Sequence, residues 1–171
     1  MKNESENYIF GMEAHIVKHH FDTFLLNIED LTDTQKIIRY ASDYVGAIES
    51  IFSRDCVEYE NAIKSKGGHE EYFKNYFSND FSKIPLIIEA LKALDAKEYV
   101  AIFTEISNKF ISVYNNLNNC IEETIKTLKN EFKIYDKKIR DLDHKFDAYL
   151  NNFNSKELEN DLKIYLKECY K

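Results

Sequence analysis

Histidine is the side chain best suited to acid–base or metal chemistry near neutral pH, and two of the five in this chain are spaced for it. His15 and His19 stand four residues apart, with Asp22 three further on, which on a helix stacks three metal-ligand types on one face. Carboxylate-bridged sites in helical bundles draw Glu and Glu-x-x-His sets from several helices. His69 with Glu70 and His144 with Asp141 do not reproduce that spacing. His15, His19 and Asp22 are therefore the metal candidates, a solvated polar face is the preferred reading of them, and no cofactor is expected. The same stretch, EAHIVKHHF, sets His15 three residues ahead of Lys18, the general layout of a helical phosphoacceptor, but its flanks match no phosphotransfer signature.

A second pair lies downstream. The run Arg140-Asp141-Leu142-Asp143-His144 resembles the arginine-to-histidine motif of the HEPN helical ribonucleases, in which the two residues flank a scissile phosphate. That resemblance implies Arg140 and His144 as catalytic candidates. The spacer here is three residues, shorter than in that family, and places the two one turn apart on a heptad-patterned helix, as for an ordinary exposed pair. Beside them, Lys126, Lys129, Lys133, Lys137 and Arg140 recur at helical spacing about a quarter-turn from the apolar seam. A phosphate backbone would suit such a stripe, but the net charge of −7, the interspersed Glu131 and Asp136, and the lack of interleaved aromatic residues argue against it. Pairing with Glu49, Asp55 and Glu58 on a neighbouring helix explains the stripe more simply.

Other chemistries leave no trace. The chain has no glycine-rich phosphate loop, no Gly-x-Ser-x-Gly elbow and no cysteine beside a histidine. Cys56, Cys120 and Cys169 are far apart and lack CxxC spacing, which fits a reducing compartment rather than a disulfide framework or zinc ribbon. The start MKNESENYIF lacks the basic and apolar runs of a signal peptide, and no apolar stretch approaches the ~20 residues that span a bilayer, so the expected location is the cytoplasm.

The elements that must position these residues are helices. Only 4 Gly and 1 Pro interrupt 171 residues, and both types punctuate helices, so a few long helices are favoured over many strands. Phe10, Ala14, Val17, Phe21, Phe24, Ile28 and Leu31 form one stripe, predicting a first helix over about Tyr8 to Glu29. Thr32 with Gln35 forms a capping box that starts a second helix, uninterrupted until Gly67-Gly68. Next come a short helix, a turn at Ser78, Asn79 and Asp80, and a helix from about Ile84 to Leu94 with Pro85 near its start. The aromatic cluster Tyr72, Phe73, Tyr76, Phe77 and Phe81 is expected to seal the end of the bundle, the alternative being a surface docking patch.

Asp95 with Glu98 suggests another capping box, from which a helix runs to about Ser155. Its second half, Ile121, Ile125, Leu128, Phe132, Tyr135, Ile139, Leu142, Phe146, Tyr149 and Phe153, alternates steps of four and three without a break and predicts a lengthwise seam against another helix. The phase slips near 115–125, where Asn115, Asn116, Asn118 and Asn119 favour a kink or hairpin, and a short last helix follows from Lys156 after a Ser155 cap.

The expectation is thus one all-α domain over 1–171, an elongated bundle of about five or six helices with a long heptad-patterned C-terminal helix. Long seams, a negative surface and the missing catalytic constellation favour a non-enzymatic protein–protein interaction module. An acidic helical inhibitor, an immunity-type protein or an assembly subunit of bacterial or phage origin would fit, with Glu49, Asp55 and Glu58 meeting the partner. The alternatives are a HEPN-like or metal-binding bundle acting on nucleic acid, and a homo-oligomeric coiled-coil scaffold whose Ile121–Phe153 seam pairs between chains. Neither nucleic acid nor a membrane is the expected partner.

Overall fold

The computed structural model describes residues 27–49, 67–77 and 80–169. Within them lie a 3-10 turn, Ile28–Asp30, and six helices: α1 (Asp33–Glu49), α2 (Gly68–Tyr76), α3 (Lys83–Ala93), α4 (Lys97–Asn116), α5 (Ile121–Arg140) and α6 (Lys145–Cys169). Among the described residues there is no strand, and no helix is long and apolar enough to cross a membrane. The expected first helix over Tyr8–Glu29 falls almost wholly outside the described residues, as does the span of the second helix beyond Glu49.

Helix α1 begins as its sequence dictates. The Thr32 amide donates to Gln35 Oε1 at 3.0 Å and the Gln35 amide to Thr32 Oγ1 at 3.3 Å, the reciprocal capping box that satisfies orphan amides of the first turn. Helix α2 is started differently. Gly67 and Gly68 take φ of 60° and 88°, a region open to glycine at little cost, and Glu71 reaches back to accept the Gly67 amide at 2.8 Å. Pro85 sits in the first turn of α3, where an absent N–H costs nothing.

Two boundaries overturn the expected reading. The Asp95/Glu98 capping box does not form: Asp95 adopts φ 57°, α4 starts after Ala96 without a side-chain cap, and the Glu98 carboxylate turns to α6. The long C-terminal helix is not continuous either: the kink or hairpin expected near 115–125 is present as a turn at residues 117–120, with Asn118 and Asn119 in the left-handed region, and a second, unexpected break lies at 141–144, where Asp143 and His144 take φ of 46° and 59°. Asn, Asp and His tolerate this conformation better than other non-glycine residues, so the chain turns twice with neither glycine nor proline. In the other direction, the break expected at Ser155 is absent: α6 runs through it, and the serine hydroxyl donates back to the Asn151 carbonyl at 2.9 Å.

The first break folds α4 and α5 into an antiparallel hairpin, recorded by Phe110 against Phe132 and by ion pairs Lys109–Glu131 (2.8 Å) and Lys138–Glu105 (3.2 Å). Both lysines also lie over the Tyr135 ring. Helix α2 packs antiparallel on α5, α1 packs on α2 and α3, and α3 on α4. The seam is buried as its periodicity implies: Ile125, Leu128, Phe132, Tyr135 and Ile139 of α5, then Phe146 of α6, face the core although the helix between them is interrupted. That burial is against this chain's own helices. Within the aromatic cluster, Tyr72, Phe73 and Phe77 are core residues rather than a surface patch. Phe73 and Phe77 are fully buried, and Phe73 contacts Phe110 (centroids 4.6 Å apart) and Phe132 (5.7 Å) in the centre of the core.

Candidate partner-binding site

One histidine works inside the protein. Gly67, ahead of α2, and Gly68, its first residue, set His69 in the first turn, where the backbone amide has no intrahelical acceptor, and Asp136 of α5 supplies one at 2.9 Å. The same carboxylate oxygen lies 2.6 Å from His69 Nδ1, and Nε2 lies 2.8 Å from the hydroxyl of Tyr44 on α1. A carboxylate only accepts, so Nδ1 carries the proton; in the neutral ring Nε2 then accepts from Tyr44. Burial first, and the nearby Asp136 second, push the Tyr44 hydroxyl well above its ordinary range and keep it a donor. Tyr44 and His69 are both 0% exposed, so no substrate atom reaches them. The trio has the composition of a proton relay, but in this setting it bolts α1, α2 and α5 together.

The exposed chemistry gathers elsewhere, where Glu49 of α1, the start of α4 and the 141–144 turn with the start of α6 meet. The centre is Tyr99, fully buried, whose hydroxyl accepts the Phe146 amide at 3.2 Å and feels the Glu49 carboxylate. Burial raises the Tyr99 pKa, and the charges of Glu49 and Asp147 add to the rise. His144 Nδ1 stands 3.8 Å from Glu49 Oε2, the imidazole 69% exposed and the carboxylate 21%. Burial lifts the Glu49 pKa above the usual carboxylate range; His144 pulls it down, Asp147 adds to the rise, and the Tyr99 hydrogen bond opposes it.

On the other side of Tyr99, Glu98 accepts from Tyr149 Oη at 2.5 Å and from Lys145 Nζ at 3.1 Å. The Tyr149 hydrogen bond is the main reason the Glu98 pKa falls to about 2, with Lys145 contributing. Asp95 acts on Tyr149 electrostatically, and Asp143 precedes His144 in the turn. Glu49, Asp95, Glu98, Asp143 and Asp147 thus border one corner, with Lys145, Lys97 and His144 as its cations.

Of the residues singled out by sequence, Glu49 lies in this corner, whereas Asp55 and Glu58 lie outside the described residues, as do His15, His19 and Asp22. Among the described residues no group of three or more His, Cys, Asp and Glu side chains is disposed to hold a metal. Arg140 ends α5 and His144 closes the following turn, so the helix that was expected to carry both stops between them; both are exposed, and His144 faces Glu49. The basic stripe of α5 does not pair with Glu49: Lys137 bonds Asp141 at 2.6 Å within its own helix end. The His69, Asp136 and Tyr44 trio has no sequence signal, since its members are 25 and 67 residues apart.

Comparison with curated proteins and with solved structures gives no match for this chain. A family model, however, matches residues 56–168, two thirds of the sequence. The chain belongs to the family described as DMP19-like protein.

Proposed function

We propose that this protein is a non-enzymatic binding module that docks on a basic surface of another protein through the acidic corner around Tyr99. The observation carrying this reading is the convergence, from three separate helices, of Glu49 and Asp147 on the buried Tyr99 and of Glu98 and Asp95 on Tyr149, whose ring lies against it. Fixed carboxylates on a rigid bundle lose little freedom on binding and attract a cationic partner from a distance. An inhibitor, an immunity-type protein or an assembly subunit works in this way, in the cytoplasm of a bacterium or under phage control.

Native mass spectrometry of protein purified gently from its own host tests the reading. The expected result is a co-purified protein whose complex weakens in Glu49→Gln/Asp143→Asn/Asp147→Asn and at raised salt. A bare single-chain mass, or one shifted by a metal ion, overturns it.

A further inference from the structure

The five cations of the α5 stripe are all exposed, and their placement follows from the seam. Lys126, Lys129, Lys133 and Arg140 each directly follow a buried seam residue, Ile125, Leu128, Phe132 or Ile139, so they fall about 100° round the helix from it, on one flank. Two acids share that register: Asp136, which follows Tyr135 and is turned to His69, and the exposed Glu122, which follows Ile121 one turn ahead of Lys126. Glu131 is held by Lys109 and Asp141 by Lys137. Among the described residues no carboxylate lies within ion-pair distance of Lys126, Lys129 or Lys133. Like charges at such spacings repel and weaken a helix. Beyond the stripe, about 60° round the helix from Lys137 and on the side away from the seam, stands Ile134, 50% exposed, which with Leu86 makes up the exposed large hydrophobic residues among those described.

We propose that this flank of α5 is a docking surface for an acidic amphipathic helix of a partner protein. Lys126, Lys129, Lys133 and Lys137 form its charged contacts and Ile134 its apolar anchor. The four lysines form a row roughly 16 Å long from Lys126 to Lys137, and a second helix laid along it repeats its carboxylates at the same pitch, so one register meets all four. A nucleic acid strand fits less well, because the exposed positions of α5 carry no aromatic ring for base stacking and the net charge of −7 repels a phosphate polymer. The inference rests on the protein-binding reading above but uses a different face, of opposite charge.

The test is fluorescence anisotropy at low salt with three labelled probes. They are a helical peptide with glutamates at i, i+3, i+4 and i+7 and leucines beside them, the same composition scrambled, and polyuridylate. The patterned peptide is expected to bind most tightly, to shift α5 amides in NMR spectra, and to lose at least tenfold affinity in Lys129→Glu/Lys133→Glu with unchanged circular dichroism. Equal binding of the scrambled peptide, tighter binding of polyuridylate, no binding, or an affinity untouched by the substitutions overturns the docking strip. If the partner captured in native mass spectrometry survives the lysine substitutions and is lost with the acidic-corner variant, this inference falls while the broader reading stands. If no partner is captured at all, the broader reading falls first.

Discussion

One carboxylate oxygen of Asp136 accepts both the backbone amide of His69, at 2.9 Å, and its ring Nδ1–H, at 2.6 Å, across 67 residues of sequence. Asp136 therefore caps α2 from a distance and orients the imidazole toward Tyr44. Asp136→Ala orphans two donors of a residue that is 0% exposed and is expected to cost about 3 kcal/mol, each buried unsatisfied group contributing roughly 1–3. Asp136→Asn keeps an acceptor and costs less. Urea unfolding of the two variants measures the difference, and equal losses would show that the oxygen is not what matters.

Phe73 is the hinge of the core, with ring contacts to Phe77, Phe103, Phe110 and Phe132. Phe73→Ala is expected to cost about 3–5 kcal/mol, the range for a buried aromatic truncated in a core that relaxes only partly. Phe81, only half-buried against Phe110 and Tyr114, costs less when truncated. Comparing the two by thermal unfolding checks the ranking.

The Glu98 pKa of about 2 lies below its ordinary 4.5, so its carboxylate stabilises the fold above the unfolded value, and that contribution is lost as pH falls from 4.5 through 2. Tyr149→Phe removes the largest cause. The expected outcome is a Glu98 carboxyl titration, followed by NMR, that moves up toward 4.5 in the variant; an unmoved midpoint would assign the shift to the Glu98 backbone amide and Lys145 instead.

Glu49 has the opposite sign. Its folded pKa is raised, chiefly by burial, so below the unfolded value both states are protonated and nothing is lost; as pH rises toward the folded value the unfolded chain ionises first and stability declines. Glu49→Gln is accordingly expected to be more stable than the parent at neutral pH, with the gap closing in acid below the ordinary carboxylate range. Denaturant midpoints at several pH values test this, and a gap that widens in acid would reverse the assignment.

Where periodicity and local caps govern, the residues themselves determined the outcome. The Thr32–Gln35 box depends on atoms three residues apart, and the seam from Ile125 to Phe146 depends on a spacing that stays in phase even across a turn. The turn at 141–144 was hidden for the same reason: it keeps the seam in phase, and it is made by Asp143 and His144 rather than by glycine or proline. Asn118 and Asn119 gave a legible hint of their turn because asparagine is a poor helix former.

Only the tertiary structure decided which polar groups meet. Tyr44, His69 and Asp136 lie on three helices, and burial fixes them because an unpaired polar atom in a closed core is costly. The acidic corner is likewise assembled from the ends of separate helices, whose carboxylates have no common sequence spacing. Whether a lysine of α5 is paired or open depends on which helix lies beside it, and that is a property of packing rather than of order along the chain.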